Sequence, residues 1–242
     1  MKLKAVCLGI VGWLLLAMGT TVGAAAQTIR PVVVEYGSKA EGRVELVNDS
    51  LYPINVTVEP KSFSIETDGR MVFRALDAAI HLQLSSMSFR IPARQSYYLF
   101  YKATSDVLPA WFCIYANFTG FPRQDGLNLQ IELPHTVYLL PKSRLQRSDI
   151  QLTTVSSDPA GHAIVEVRND GSNVGRVRTV RLSYAAHTRT PALFPGFALL
   201  PGGTRLIELS WPPGLDPDQI LIRFDHFSIE QSLQKRIADV PQ

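Results

Sequence analysis

Cysteine is almost absent from this sequence. Its 242 residues include two, Cys7 and Cys113, and only Cys113 lies beyond the first 26 residues. A single cysteine cannot form an intramolecular disulfide, so the chain after that segment must rely on its core, which roughly 215 residues can supply. Cys113 lies in the apolar run AWFCIY. This setting predicts a buried, inert thiol in preference to a nucleophile.

The sequence also lacks an excess of charge of one sign. It has 24 basic and 21 acidic residues, and its first 26 residues carry two lysines and no acid. The remainder therefore holds 22 basic and 21 acidic residues, a net charge of about +1 with histidine neutral. No block of lysine or arginine occurs in it, so binding to nucleic acid or to a membrane surface is not predicted.

Long hydrophobic runs are missing except at the N-terminus. There, Lys2 and Lys4 precede an apolar run from Ala5 to Met18, and three alanines follow at 24–26. A basic segment, an apolar segment and a small-residue cleavage site together indicate a secretory signal peptide, here residues 1–26. The alternative is an uncleaved anchor, but the run is shorter than the ~20 apolar residues of a membrane span. We therefore predict export with cleavage and no membrane span after it.

Motifs that carry chemistry are lacking as well. The sequence has no GxSxG elbow, no phosphate-binding glycine loop and no CxxC pair. Its five histidines are dispersed without metal-ligand spacing, at positions 81, 135, 162, 187 and 226. We predict no metal, no cofactor and no enzymatic activity, and we favour a binding or structural role. A hydrolase would need a His/acid/Ser constellation that the sequence does not display.

Short strands are what the sequence does contain. Segments rich in β-branched and aromatic residues alternate with turn formers, for example PVVVEY, GRVELVN, YPINVTVE and SYYLFYKA. Asp68-Gly69 predicts a two-residue hairpin turn. Helical periodicity is weak throughout: LDAAIHL is ambiguous, and SIEQSLQKRI near the C-terminus could be a short helix or a frayed tail.

A polar, basic segment, KSRLQRSD, follows Pro141 and separates two strand-rich halves. Halves of roughly 100 residues with strands at this spacing predict an all-β fold of two tandem immunoglobulin-like β-sandwiches. We place the domains at residues 27–145 and 146–242, after the signal peptide.

The stretch LNLQIELPHTVYLLPK, residues 127–142, has an unusual pattern. It alternates like a half-buried strand, and Pro134 interrupts it. Its apolar stripe consists of Leu127, Leu129, Ile131 and Leu133. A strand that contains proline usually lies at a sheet edge, and an apolar edge strand invites pairing with another chain. The stripe is either a site for a partner or an ordinary inward-facing core surface.

Several segments follow one another in a distinctive order: VVVEYGSKAEGRVELVNDSLYPINVTVE, IPARQSYYLFYKATSDVLPAWF, NLQIELPHTVYLLP, and AIVEVRNDGSNVGRVRTVRLSY followed by GFALLPGGTRLIEL. Together they resemble the periplasmic pilus-assembly chaperones of the PapD-like family. The resemblance covers nearly all of the chain after the signal peptide. It implies two immunoglobulin-like sandwiches in a boomerang arrangement, located in the periplasm.

The resemblance also implies a mechanism, donor-strand complementation. The partners would be pilin-like or spore-coat-like secreted subunits that lack one strand, together with an outer-membrane usher. The residues at the positions of the family's alternating plugs are Leu127, Leu129 and Ile131, and Leu133 extends the series.

The family's basic anchor for the subunit carboxylate is less clear in this sequence. Arg30 is the candidate on the first strand, although Gly37 follows it at a greater distance than the pattern expects. The lysine position on the long strand falls on His135 or Thr136, and His135 is the candidate. The alternative for His135 is a histidine satisfied by a backbone partner. The missing lysine also keeps open a different class, a non-chaperone exported immunoglobulin-like module with a structural or adhesive role.

Overall fold

The computed structural model describes five stretches of the chain, residues 27–121, 129–158, 161–184, 193–212 and 217–233. The predicted signal peptide, residues 1–26, and Leu127 lie outside them. Within these stretches the regular elements are strands and one short 3₁₀ helix, Arg147–Asp149.

The first ten strands form one sandwich. They are β1 Gln27–Arg30, β2 Val33–Tyr36, β3 Lys39–Asn48, β4 Ile54–Ile65, β5 Met71–Ala75, β6 Ile80–Leu84, β7 Ser88–Ile91, β8 Gln95–Ser105, β9 Ala110–Thr119 and β10 Ile131–Leu139. Sheet I has the order β1-β3-β8-β6, and sheet II has the order β2-β10-β9-β4-β5, with β7 paired to β4. The chain therefore changes sheets between β1 and β2, at Pro31 and Val32.

In the described stretches, the second sandwich is built from strands β11 to β17. They are β11 Ile150–Asp158, β12 His162–Asn169, β13 Gly175–Ser183, β14 Leu193–Leu199, β15 Thr204–Ser210, β16 Gln219–Arg223 and β17 Ser228–Ser232. Sheet III has the order β11-β12-β15, and sheet IV has the order β14-β13-β16-β17. The predicted all-β fold of two sandwiches is confirmed.

Alternation of side chains builds each core. In β4, Ile54, Val56 and Val58 are at most 4% exposed, whereas Asn55 and Thr57 face solvent. Side chains of a strand alternate between the two faces of its sheet, so this period-two pattern turns one face of the strand toward the opposing sheet. The second sandwich has its own core, separate from the first.

Two ambiguous segments are strands. LDAAIHL contributes β6, which pairs with β8. The segment expected to be a short helix or tail contributes β17, which pairs with β16 and buries Ile229 in the second core. The helix alternative was wrong for Ser228–Ser232, because Ile229 is used at strand period against a neighbouring strand, and a tertiary partner outweighs weak local propensity. Residues 234–237 of the segment lie outside the described residues.

The hairpin between β4 and β5 forms at Asp68-Gly69, but its turn is not the two-residue type. Gly69 has φ +90, whereas Asp68 does not have positive φ. The Gly69 N–H donates to the Glu66 C=O at 2.8 Å, and the Glu66 N–H donates to the Arg70 C=O at 2.9 Å. This is the three-residue pattern that ends with glycine in the left-handed region.

A third apolar cluster joins the two sandwiches. Phe63, Cys113 and Tyr138, on the face of sheet II opposite the first core, pack with Leu200 from the second sandwich. At the hairpin, the Leu206 N–H of β15 donates to the Thr67 C=O at 2.8 Å. The domains are therefore held together by apolar burial and by a backbone hydrogen bond.

Candidate functional site

Strand β10 is paired on both sides over only half of its length. It pairs with β9 along all of Ile131–Leu139, but its parallel pairing with β2 is confined to Thr136–Leu139. Across the part of the chain that the structure describes, residues 131–135 have no strand on their second side. We call residues 131–135 the open half of β10.

Pro134 accounts for the point at which the pairing with β2 stops. The Thr136 N–H donates to the Val32 C=O at 2.7 Å, and the Leu140 N–H donates to the Tyr36 C=O at 3.0 Å. Even-numbered residues of β10 thus direct their backbone groups toward β2, and the next donor in this series would be residue 134. Proline has no N–H, so the ladder cannot continue. Because the missing donor lies on the β2 side, the pairing with β9 is unaffected.

The apolar stripe runs from the first core out into solvent. Leu133 and Ile131 are partly buried against the core, and Leu129 is 56% exposed. Val32 and Val33, where the chain enters β2, are 52% and 42% exposed. The open half of β10 therefore combines free backbone groups with exposed apolar side chains on either side of it. Leu127, the first predicted member of the stripe, lies outside the described residues.

Arg30 lies at the end of β1 on the outer face of sheet I. Its side chain is 63% exposed, and its Nε is 3.6 Å from the Glu45 Oε2 on β3. An exposed pair of this kind stabilises little, because water screens both charges. The residues that line the cleft between the sandwiches do not include Arg30.

His135 is fully buried inside the first sandwich. Its Nδ1 is 2.6 Å from the Pro31 carbonyl oxygen, and its Nε2 is 2.9 Å from the Tyr101 hydroxyl. Burial lowers the pKa of the imidazole, and the hydrogen bond to Pro31 opposes this effect. The alternative stated above, a histidine satisfied by a backbone partner, matches this geometry. A neutral interior ring is poorly suited to the role of a cationic anchor.

Thr136, the other position considered for the anchor, is also buried. Its hydroxyl is 3.2 Å from the Cys113 Sγ. Burial raises the pKa of that thiol to about 11. Because the thiolate is the reactive form, a raised pKa agrees with the inert role predicted for Cys113.

The cleft between the sandwiches has cations that the sequence reasoning missed. It has a volume of about 350 Å³, and its lining includes Lys142 and Arg144 from the connecting segment and Arg176 from β13. The Arg176 Nε donates to the Glu35 Oε1 at 2.9 Å, and its guanidinium lies 5.0 Å from the centre of the Tyr138 ring. The basic character of KSRLQRSD was the available signal, but it was interpreted only as a linker.

In the described stretches, no group of three or more metal-ligating side chains occurs. The same stretches contain no helix long and apolar enough to cross a bilayer.

Comparison with known proteins gives matches by structure alone. No known protein family matches the sequence, and no curated protein does. Three solved chains with a similar fold come from fimbrial chaperone systems. One belongs to the complex of the SafA pilin with the SafB chaperone of Salmonella enterica. It is 16% identical, with 86% of this chain and 97% of that chain covered, at a TM-score of 0.52.

The second belongs to the CsuC–CsuE chaperone–tip adhesion subunit pre-assembly complex from archaic chaperone-usher Csu pili of Acinetobacter baumannii. It is 14% identical, covers 85% of this chain and 98% of that chain, and has a TM-score of 0.50. The third is the E. coli chaperone DraB, with 13% identity, 86% and 98% coverage and a TM-score of 0.50. At these identities the likeness establishes the fold. The chain has the two-sandwich fold of the fimbrial chaperones, and the predicted resemblance to PapD-like chaperones is confirmed at that level.

Proposed function

We propose that this protein is a periplasmic chaperone that captures secreted β-sandwich subunits lacking one strand and delivers them to an outer-membrane usher. The observation that carries the proposal is the open half of β10, with its exposed backbone edge and apolar stripe. The fold supports it, because two of the similar solved complexes contain a chaperone with a pilin or a tip adhesion subunit.

The interaction follows from the chemistry of the two surfaces. A subunit that lacks one strand has an unpaired edge and a groove over its core. The Glu132 N–H and the carbonyl groups of Glu132 and Pro134 point to the open side of β10 and can pair with that edge. Leu129 and Ile131 can then enter the groove at a period of two, while the predicted plug Leu127 lies outside the described residues. The role is binding, with no catalytic step.

The proposed basic anchor for the subunit carboxylate differs from the one that the resemblance implied. A negatively charged group at the end of the subunit would find cations in the cleft on Lys142, Arg144 and Arg176, not on His135. Arg30 is a weaker candidate, since its side chain is exposed on the outer face of sheet I and pairs with Glu45.

The test is a charge placed in the exposed part of the stripe. Leu129→Asp leaves the core intact because Leu129 is mostly exposed, and it places a carboxylate where an apolar plug is required. We expect capture of a co-expressed pilin-like subunit from the same gene cluster to fall at least about tenfold, since burying one such side chain contributes about 1.5–3 kcal/mol. Recovery of the two proteins as a one-to-one complex from the periplasm is the measurement.

The matched control is Leu51→Asp, which changes a leucine that is 68% exposed between β3 and β4. It should capture the subunit as the wild type does. If Leu129→Asp captures as well as this control, donor-strand pairing through β10 is wrong.

A structural or adhesive immunoglobulin-like module is the second candidate. The partial burial of Ile131 and Leu133 favours it, because a stripe that serves the monomer's own core needs no partner. This alternative predicts that Ile131→Asp unfolds the first sandwich and that no usher gene lies beside this gene. A neighbouring usher gene would exclude it.

A further inference from the structure

A chain of hydrogen bonds crosses the first sandwich at the point where the open half of β10 meets its paired half. The Tyr36 hydroxyl on β2 is 3.1 Å from the Tyr101 hydroxyl on β8, which is 2.9 Å from the His135 Nε2 on β10. The His135 Nδ1 completes the chain at the Pro31 carbonyl, in the segment where the chain leaves β1 and enters β2.

The donor–acceptor direction of these hydrogen bonds follows from the last group, the Pro31 carbonyl. A carbonyl oxygen can only accept, so the His135 Nδ1 carries the hydrogen. The ring is kept neutral by burial, so Nε2 is the acceptor and the Tyr101 hydroxyl donates to it. Tyr101 is then free to accept from Tyr36. Each tyrosine hydroxyl and each ring nitrogen in this series therefore has one donor–acceptor assignment.

Two adjacent bonds attach the β1–β2 crossover to β10. The Pro31 C=O accepts from the His135 side chain, and the Val32 C=O accepts from the Thr136 N–H at 2.7 Å. Pro31 has no N–H, so its carbonyl is its only backbone polar group, and this carbonyl is held by the imidazole instead of by a strand. The crossover thus turns away to sheet I at residue 31. It leaves the backbone edge of residues 131–135 without a strand partner on the β2 side.

We propose that His135 is a positioning residue that holds the Pro31–Val32 crossover in place and thereby sets how much of the β10 edge is open to a subunit. This inference rests on the proposed function of that edge. It makes the edge sensitive to acid, because a protonated ring would bury a charge and force the Tyr101–Tyr36 chain to reverse.

Among the described residues, no acidic side chain faces His135 to offset that charge, and the Pro31 carbonyl offsets it only in part. On the strands packed against it, the titratable side chains facing the ring are Tyr101 and Tyr36. The charged residues of β1, β3 and β8 lie on the outer face of sheet I: Arg30, Lys39, Glu41, Arg43, Glu45 and Lys102. Glu35 of β2 pairs with Arg176, Glu132 of β10 is exposed, and Cys113 of β9 contacts Thr136 on the opposite face.

The sign of the acid effect follows from proton linkage. Burial lowers the pKa of His135 from 6.5, and the Pro31 hydrogen bond opposes this only in part. Opening of the crossover would admit water to the ring, so the open state binds the proton more readily. The Pro31–Val32 crossover is fully attached to β10 above about pH 6.5. This attachment is lost as the pH falls toward the lowered pKa of His135. For one proton the opening equilibrium changes by up to about tenfold per pH unit.

The experiment is amide hydrogen exchange of the free, full-length mature protein between pH 7.5 and pH 5, corrected for intrinsic exchange. We expect the protection factor of the Thr136 N–H to be smaller than those of β9 and to fall by up to about tenfold per pH unit below 6.5. His135→Asn retains a neutral donor toward Pro31, and its Thr136 protection should not depend on pH.

The matched control is His81→Asn, at an exposed histidine 3.0 Å from Asp106 in the same sandwich, which should behave as the wild type. If His135→Asn does not fold, ring nitrogen NMR of the wild type decides the question. An Nδ1–H tautomer whose titration accompanies the loss of Thr136 protection supports the role, and an Nε2–H tautomer overturns it.

Two exchange results would also overturn the proposal. One is Thr136 protection that does not change with pH in the wild type. The other is Thr136 protection equal to that of β9 at every pH, because the crossover would then open only with the whole domain. In the wild type, capture of the co-expressed subunit should fall as the Thr136 protection factor falls. In His135→Asn, neither should change with pH. No capture at pH 7.5 would refute the proposed function, and the exchange profile would still decide the role of His135.

Discussion

At the scale of single residues, the interior of the first sandwich depends on space left by a glycine. Gly42 on β3 lies against the hydroxyls of Tyr36 and Tyr101, and a Cβ there would overlap the Tyr36 hydroxyl and come within 2.8 Å of the Tyr101 hydroxyl. The hydrogen-bond chain to His135 therefore needs glycine at this position.

Gly42→Ala should destabilise the first sandwich by about 1–3 kcal/mol, because the added methyl group overpacks a closed site. The free energy of unfolding from urea denaturation is the measurement. Gly37→Ala is the matched control: no atom lies within 4 Å of its added Cβ, so it should be neutral or slightly stabilising. Equal effects of the two substitutions would contradict the packing argument.

At the scale of elements, the two sandwiches repeat one device. Asn48 ends β3 and Asn169 ends β12, and both are fully buried. The Asn48 side-chain amide donates to the carbonyls of Tyr52, Ile91 and Pro92 at 2.8–3.2 Å. The Asn169 amide donates to the carbonyls of Asn173, Leu199 and Leu200 at 2.7–3.2 Å. Each asparagine ties its own loop to a second segment of the chain.

Asn48→Ala and Asn169→Ala should each lower the free energy of unfolding by about 2–4 kcal/mol, because buried carbonyl groups lose their donors. Native-state hydrogen exchange should place the loss caused by Asn48→Ala in the amides of the first sandwich and the loss caused by Asn169→Ala in those of the second. Asn55→Ala, on an exposed position of β4, is the comparison and should change stability by less than about 0.5 kcal/mol.

Pro134 gives a second prediction for an element, strand β10. Its missing N–H lies on the open side, so Pro134→Ala breaks no bond to β9 and should cost no more than about 1 kcal/mol. The restored N–H makes the edge a better template for another strand, and we expect concentration-dependent self-association in sedimentation velocity. A loss of several kcal/mol would show that the proline side of β10 has been assigned wrongly.

At the scale of the whole molecule, the two sandwiches are coupled through Arg176. Its Nε bonds to Glu35 of β2, and its guanidinium lies over Tyr138 of β10. Burial raises the pKa of Tyr138 to about 12, and nearby Arg176 opposes this rise. Arg205 of β15 adds a further contact, since a side chain at Gly69 would collide with its guanidinium.

Arg176→Met should therefore weaken the coupling between the sandwiches and separate their thermal unfolding into two transitions in scanning calorimetry. Arg168→Met is the matched control, because Arg168 pairs with Asp170 on the exposed surface of the same sandwich. That exposed pair should contribute less than about 1 kcal/mol. An unchanged single transition in Arg176→Met would mean that the apolar cluster, the Leu206–Thr67 hydrogen bond and Arg205 couple the domains without Arg176.

Features that depend on near neighbours in the chain could be predicted from the amino-acid sequence. Alternation over two residues specifies which face of β4 or β10 is apolar, and the polar segment after Pro141 separates the two halves. The stripe and Pro134 were identified for the same reason, since both are properties of one strand. Periodicity does not say which strands become neighbours.

The roles of those features depend on contacts that form in the folded protein. The open half of β10 exists because β2, about 100 residues earlier in the chain, pairs with Thr136–Leu139 and stops at Pro134. His135 is interior because Tyr101 of β8 and Pro31 of the β1–β2 crossover pack against it. The cations of the cleft come partly from β13 of the second sandwich. These outcomes depend on contacts between residues far apart in sequence, and a local pattern cannot encode the partner of such a contact.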